Sequence, residues 1–544
     1  MYIVRSNKQL EAMGRPVEAT ESKLQGKSGR LSMPFLLWSC GSILTVVLLN
    51  TLLFTVPWRW SIRGRSKETV ITLQAPSQLS EPVKHTNQPF EQASDATCAS
   101  KELRTASDLF HEDRFDLLVK LLYIRFVHRS RVERLFKVPS VALDAYLQHE
   151  KVWNRFREDW KRNPHDFQSA FEETYSSVVQ NGFLPAHAIP IVLEKGSGQL
   201  WLKNGAHRSA IAIALGLDSI PVYCVNGSTR KWDWRFFHRR GLPRSFIDAA
   251  VYHFLHNTQD VFMLNIWPSG LQAMEKLGVQ LSKVLEVLRR NSGKVMYWKD
   301  VSLNFAAHSM YVHMAYGNTG GLAQRQNQTY VSNYSMTCIF VLFRNSKIAQ
   351  KARKEVRSLV HLATEKKIDN TYMTIRREDL LLLSRQILFS NALHYMNFSS
   401  AEGKVACRQA SINLASMKSL RTTEATPGMP LHVDHFSVDG GSVLNFYGLR
   451  PRTKCDLIYD NQLQVTNCKI CGEEIGIRDV GIRRFWYENV SIEDILYNPQ
   501  NVGYCYGLKF VALKQVLSRK GALYEESKDA LNMELLHKLL LNNP

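Results

Sequence analysis

One short stretch carries residue types suited to gripping a phosphate. Asn204-Gly205-Ala206-His207-Arg208 opens the small-residue run Ser209-Ala-Ile-Ala-Ile-Ala-Leu215. A tight glycine turn aimed at a helix N-terminus presents free backbone N–H groups and the positive end of the helix dipole, and His207 and Arg208 add charge-assisted donors. Glu194, one turn earlier in the chain, is a carboxylate placed to serve as general base. The same residues admit a plainer reading, in which Asn204 makes a turn, His207 sits half-buried and satisfied, and Arg208 pairs with a structural carboxylate.

The flanking sequence supplies the elements that must hold this loop. Ile189-Pro-Ile-Val-Leu-Glu194 and Gln199-Leu-Trp-Leu202 read as two strands joined at Lys195-Gly-Ser-Gly198, a hairpin. After the loop come a helix ended by Gly216 and the strand Ile220-Pro-Val-Tyr-Cys224. Upstream, Arg114 to Arg125 has apolar residues at helical spacing and opens a helix-rich scaffold that runs to about Asn181. From Asn181 to Val225 the order of elements and the Gly-x-His-Arg loop resemble the ParB/sulfiredoxin-like fold. The resemblance implies nucleotide phosphates held by Asn204, Gly205, His207 and Arg208, with Glu194, His207 and Arg208 as the catalytic set and ATP or another nucleotide as cofactor. Sulfiredoxins carry Cys where this chain has Ala206, so their chemistry is not expected. The small-molecule kinases of that superfamily carry Asp where this chain has Asn204.

A second motif lies near the C-terminus. A Gly440-Gly441-Ser442 turn enters Val443-Leu-Asn-Phe-Tyr-Gly448, and a strand bearing Asp456 follows. This resembles the opening unit of the nucleotidyltransferase fold, which implies phosphate binding at Gly441 and Ser442 and Mg²⁺ on carboxylates of the next strand. Of the expected Asp-x-Asp pair this chain keeps Asp456 and has Lys454 in the first position, where its ammonium can replace a metal charge. Asp460 lies about 13 Å further along a straight strand, too far to share one metal with Asp456. The elements around Asp494-Ile-Leu-Tyr and Gly507-Leu-Lys-Phe-Val-Ala-Leu513 follow that fold's later order.

Between the two motifs, Asp260 to Pro268 and Thr337 to Phe343 read as buried strands separated by helical patterns, and Ile368 to Asn397 as a strand and an amphipathic helix. Strands alternating with helices imply α/β (α+β) folding. The expected organisation is a tail (1–33), a transmembrane helix (34–58), a stem (59–107), a ParB/sulfiredoxin-like domain (108–260), an α/β middle region (261–425) and a nucleotidyltransferase-like domain (426–544).

The membrane segment rests on residues 34–56, long enough to cross a bilayer, with no charged residue from Leu31 to Trp58 and with Trp38, Trp58 and Trp60 near its ends. Residues 66–107 are rich in Ser, Thr, Gln, Glu and Pro without apolar periodicity, an extended stem. Six cationic residues before the helix against four after it favour the N-terminus inside. Sequons at Asn226, Asn327, Asn333, Asn397 and Asn489 fit a luminal C-terminal region. Eight of the nine cysteines lie outside the apolar segment, a number that permits disulfides there. Cys468 and Cys471 form a lone CxxC, read as a local disulfide or two ordinary thiols rather than a zinc site. The formal charge of +20 suggests anionic partners, but the basic residues are spread along the chain, and nucleic acid is not expected.

The expectation is a single-pass membrane protein, type II in the Golgi or endoplasmic reticulum, that transfers a phosphoryl or nucleotidyl group to a sugar or glycan. A secretory-pathway glycosyltransferase and a non-catalytic nucleotide- or glycan-binding protein are the alternatives. The first lacks a clean Asp-x-Asp sugar-nucleotide motif, and the second is favoured by Asn204 and Lys454 in place of acids.

Overall fold

The computed structural model describes residues 102–104, 110, 113–132, 136–154, 163–184, 188–193, 200–217, 219–225, 232–258, 260–317, 321–361, 370–374, 376–416, 436–439, 441–449, 456–459 and 490–516. All belong to one unit of the chain, residues 89–544. The apolar segment 34–58, Glu194, Lys454 and the Cys468/Cys471 pair lie outside them. No helix of the described residues is long and apolar enough to cross a membrane.

Helix α1 (Asp116–Val132) is buried from Asp116 through Val127 with Arg125 the exception, because protein packs against every face of this stretch. Helices α2 (Ser140–Asn154) and α3 (Pro164–Asn181) follow it. Asn163 caps α3, its side-chain oxygen accepting from the His165 N–H, and Gly182 ends the helix at φ 71°, where a side chain would be strained.

The first sheet holds β1 (Glu102–Arg104), β2 (Ile189–Leu193), β3 (Leu200–Leu202) and β4 (Ile220–Cys224), in the order β1-β4-β2-β3. The hairpin expected at 189–202 is present, with Ile191 opposite Leu202. Helix α4 (Ala206–Ala214) crosses from β3 to β4, and β4 returns parallel to β2. One expectation needs correction here. Glu102–Arg104, placed in the stem by its polar composition, pairs antiparallel with β4 and closes that edge of the sheet.

After α5 (Arg244–Asn257), the middle sheet has the order β6-β7-β5-β8, from β5 (Val261–Ile266), β6 (Lys294–Val301), β7 (Met336–Leu342) and β8 (Thr371–Met373). Every pairing in it is antiparallel, so the alternation of strands and helices does not produce a parallel sheet. Strand β6 was read as part of a helical stretch. Its register shifts between Val295 and Tyr297, and such an irregularity breaks the two-residue alternation that marks a strand.

Helix α6 (Ala401–Ser416) precedes the third sheet, ordered β10-β9-β12-β11, from β9 (Phe436–Asp439), β10 (Asp456–Tyr459), β11 (Val502–Cys505) and β12 (Leu508–Val511). Helices α7 (Gly441–Phe446) and α8 (Ile492–Tyr497) accompany it. Cys407 on α6 forms a disulfide with Cys505 on β11, and Cys224 is also disulfide-bonded. One apolar core, running from Phe110 to Val516, takes side chains from all three regions.

Helix α6 meets the turn after α7 without room for a side chain. A Cβ on Gly403 would collide with the Phe446 carbonyl oxygen and the Gly448 nitrogen, both backbone atoms. Gly403→Ala is therefore expected to lower stability by about 1–3 kcal/mol, read as a lower urea midpoint at unchanged slope. An unchanged midpoint would show that the two segments separate freely.

Candidate functional site

The burial of α1 removes two charged side chains from water, and they must find partners inside. Asp116 is 0% exposed and Lys120 5%. Arg114, just before the helix, grips Asp116 with both arms of its guanidinium, Nε to Oδ1 and Nη2 to Oδ2, each 2.9 Å. Lys120, one turn along, donates to Asp116 Oδ2 at 3.2 Å and lies 3.7 Å from Glu150 on α2. Burial alone raises the Asp116 pKa, but Arg114 first and Lys120 second outweigh it, holding the carboxyl well below the usual range. Glu150 follows the same pattern, burial opposed chiefly by Lys120 and then His149, and is brought down to about 2.

This chain of charges ends at His207. Glu150 Oε1 lies 3.8 Å from His207 Nε2, and the Tyr146 hydroxyl lies 3.0 Å from the same nitrogen. Tyr146 also donates to the Phe167 carbonyl at 3.2 Å. With its one proton committed there, its oxygen accepts from Nε2–H, the tautomer that the nearby carboxylate also favours. The lone pair is then on Nδ1. Burial first and Lys120 second push the imidazole down to about 3, against the upward pull of Glu150. This direction favours a neutral His207 at physiological pH, which leaves Arg208 as the cation of the loop.

The loop itself is fastened at both ends. Arg114 Nη1 donates to the carbonyl of Leu202, the last residue of β3, and the Lys203 N–H donates to the Pro190 carbonyl. Gly205 has φ 87° and takes the N-cap position of α4 with no side-chain cap on the helix. Asn204 Oδ1 accepts from the Gly205 N–H at 2.8 Å. A Cβ at Gly205 would lie 3.2 Å from Ile189 Cγ2 and 3.4 Å from Arg208 Nη2, so glycine serves both conformation and space. Arg208 is half-buried, and its Nη1 donates to the Ala188 carbonyl at 3.2 Å. Burial lowers its pKa, yet a guanidinium stays protonated.

Asn204, Gly205, His207 and Arg208 line a single cavity of about 490 Å³. Its opposite wall is the C-terminal half of α3, including Glu173, Thr174 and Ser177, with Phe183 and Leu184 beyond Gly182. Glu173 is the carboxylate of that lining among the described residues. Of the first motif, only Glu194 is not placed.

The second motif is less complete. Gly441 starts α7, Ser442 is buried at 4%, and Asp456 opens β10 directly opposite Asp439 on β9. Among the described residues no three His, Cys, Asp or Glu side chains converge as a metal site. Asp116, Lys120, Glu150 and Tyr146, which fix His207, were missed in the sequence. Their one signal was a pair of charges, Asp116 and Lys120, on the apolar stripe of a predicted core helix.

The titrations of the network predict how stability depends on pH. Above 6.5, the ordinary value of the imidazole, His207 is neutral whether folded or unfolded; below it the unfolded chain takes a proton that the folded ring refuses until about pH 3. Glu150 adds a second loss below 4.5. Urea unfolding free energy is expected to fall as pH drops from 6.5 toward 3, and His207→Gln to make that slope shallower by up to about one proton. A slope unchanged by the substitution would mean that the ring titrates normally in the folded protein. The chain matches no protein-family model, no curated protein and no solved structure.

Proposed function

We propose that the protein is a nucleotide-dependent phosphoryl- or nucleotidyl-transferase whose phosphate site is the cavity at Asn204–Arg208 and whose acceptor is a sugar or glycan. The observation that carries this reading is the joint placement of Gly205 in a left-handed turn, the α4 N-terminus, Arg208 and the neutral His207 on one cavity wall. The donors suit an anion: the first-turn N–H groups of α4 have no side-chain cap, and Arg208 is a permanent cation. The resemblance of the Gly-x-His-Arg loop to ParB/sulfiredoxin-like proteins points the same way.

In this reading Arg208 and the α4 N–H groups hold the phosphates and His207 handles the proton. An acceptor hydroxyl gives its proton to His207 Nδ1 as its oxygen bonds to phosphorus, and the bond from phosphorus to the bridging oxygen breaks, leaving the shortened nucleotide with the electron pair. Bound phosphate charge raises the imidazole pKa, which makes the ring a better base than in the empty site. Tyr146 and Glu150 keep Nε2 protonated and the ring oriented. A magnesium ion on the nucleotide would find Glu173 as its carboxylate in the described wall, in keeping with the few protein ligands that Mg²⁺ uses beside phosphates.

The chain's placement as a type II membrane protein of the Golgi or endoplasmic reticulum belongs to the same proposal. The disulfide at Cys407 and Cys505 and the bonded Cys224 support an oxidising compartment for this region. Asn327 and Asn333 are exposed, open to glycan attachment.

Titration of ATP and CTP into the full chain in detergent, with Mg²⁺, tests the site. Arg208→Ala is expected to weaken binding roughly 10- to 100-fold, the worth of a charge-assisted hydrogen bond. Binding equal to wild type would place the nucleotide elsewhere. Binding lost in the variant, with no nucleotide ever consumed by wild type across a panel of sugars, would favour the non-catalytic reading that Asn204 and Lys454 suggest.

A further inference from the structure

A second cavity, of about 440 Å³, opens where α1, α5, α8 and β12 meet, on a part of the molecule distinct from the loop at Asn204. Its described lining contains three permanent cations, Arg125, Arg129 and Lys509, and three histidines, His128, His253 and His256. It contains no Asp or Glu among the described residues. Five aromatic rings, Phe126, Tyr252, Phe389, Tyr497 and Tyr504, line most of the rest, beside Val132, Ala214 and Leu496.

Two of the cations are held in place. Arg129 donates to the Tyr497 hydroxyl and stacks over the Phe136 ring at 4.0 Å. Lys509 is 0% exposed and donates to the Leu496 carbonyl at 3.0 Å. Arg125 differs, having no hydrogen bond, ion pair or ring contact among the described residues. It is partly buried, and burial brings its pKa down to about 10, the sign of a cation that has lost water without gaining a carboxylate. Behind the wall, Arg385 donates to the Tyr252 hydroxyl at 2.8 Å, adding more positive charge.

Arg125 is a partly buried cation with no acidic partner among the described residues, and such a charge costs free energy unless a ligand offsets it. The volume falls within the range of small-molecule sites, which favour junctions between packed elements. Aromatic faces accept a planar ring, and guanidinium groups accept phosphate oxygens through paired N–H donors. We propose that this cavity is a binding site for a phosphate monoester that also bears a planar ring, of the nucleoside monophosphate class, with Arg125 as its phosphate ligand.

The test uses the full chain in detergent carrying Arg208→Ala, which weakens the first site, so that this inference and the proposed function fail separately. Calorimetric titration is expected to show saturable binding of AMP, tighter than that of inorganic phosphate. Adding Arg125→Met is expected to weaken AMP binding at least tenfold while raising the melting temperature of the unliganded protein, because an unpaired cation is removed. Unaltered AMP binding in that variant, no saturable AMP binding at all, or AMP bound no better than inorganic phosphate would each overturn the proposal. Should Arg125→Met fail to fold, phenylglyoxal labelling read by peptide mass spectrometry decides the point in the Arg208→Ala protein. Arg125 protected by AMP supports the site, and equal labelling with and without AMP contradicts it.

Discussion

The buried Asp116 carboxylate sets the terms for the N-terminal half of the molecule. It opens a helix that protein covers on every face, so it cannot turn to water, and an uncompensated charge there would cost several kcal/mol. Arg114 and Lys120 supply the compensation, and each reaches further. Arg114 holds the end of β3 through the Leu202 carbonyl, and Lys120 faces Glu150, which faces His207. The loop that carries His207 and Arg208 is thus held to α1 from both sides, through its backbone at Leu202 and through the His207 ring. For the proposed function, such a loop is pre-organised before any ligand arrives, since its side chains are fixed by partners within the protein.

The same network explains why His207 differs from what its neighbours in sequence suggest. Beside an arginine in a glycine turn, a histidine reads as a second cation. Inside the structure it faces Lys120 across a short path and keeps its Nε2 proton, because the Tyr146 hydroxyl accepts from it and the Glu150 carboxylate lies 3.8 Å away. A neutral imidazole is a poor phosphate clamp and a usable proton acceptor, which is why the proposed function gives the phosphate to Arg208 and the proton to His207.

Local features of this fold were legible in the sequence, and long-range ones were not. The hairpin at Ile189–Leu202 announced itself by two short apolar runs around Lys195-Gly-Ser-Gly198, and the glycine before α4 by its place at the end of a strand. The Gly440-Gly441-Ser442 turn likewise leads into a short helix and then a strand at Asp456. Lys294–Val301 escaped because its register shift breaks the alternation, and Glu102–Arg104 because nothing in one leucine between two charged residues says that an open sheet edge awaits them. Asp116, Lys120 and Glu150 escaped for a different reason: charges on a helix are usually solvated, and only the packing of α2 and α4 on α1 makes them internal. Arg125, the one residue from Asp116 to Val127 that is not fully buried, gave no sign in sequence that a cation-lined hollow surrounds it.

The most direct measurement is the protonation of His207 followed by ¹⁵N NMR of the histidine-labelled protein, titrated from pH 7.5 to 4 with and without ATP, with His207→Gln to assign the signal. The account predicts a ring that stays neutral, protonated on Nε2, down to about pH 4 in the free protein, and a midpoint that moves upward when ATP binds. A midpoint near 6.5 in the free protein, unmoved by ATP, would contradict both the buried charge network and the phosphate site it supports.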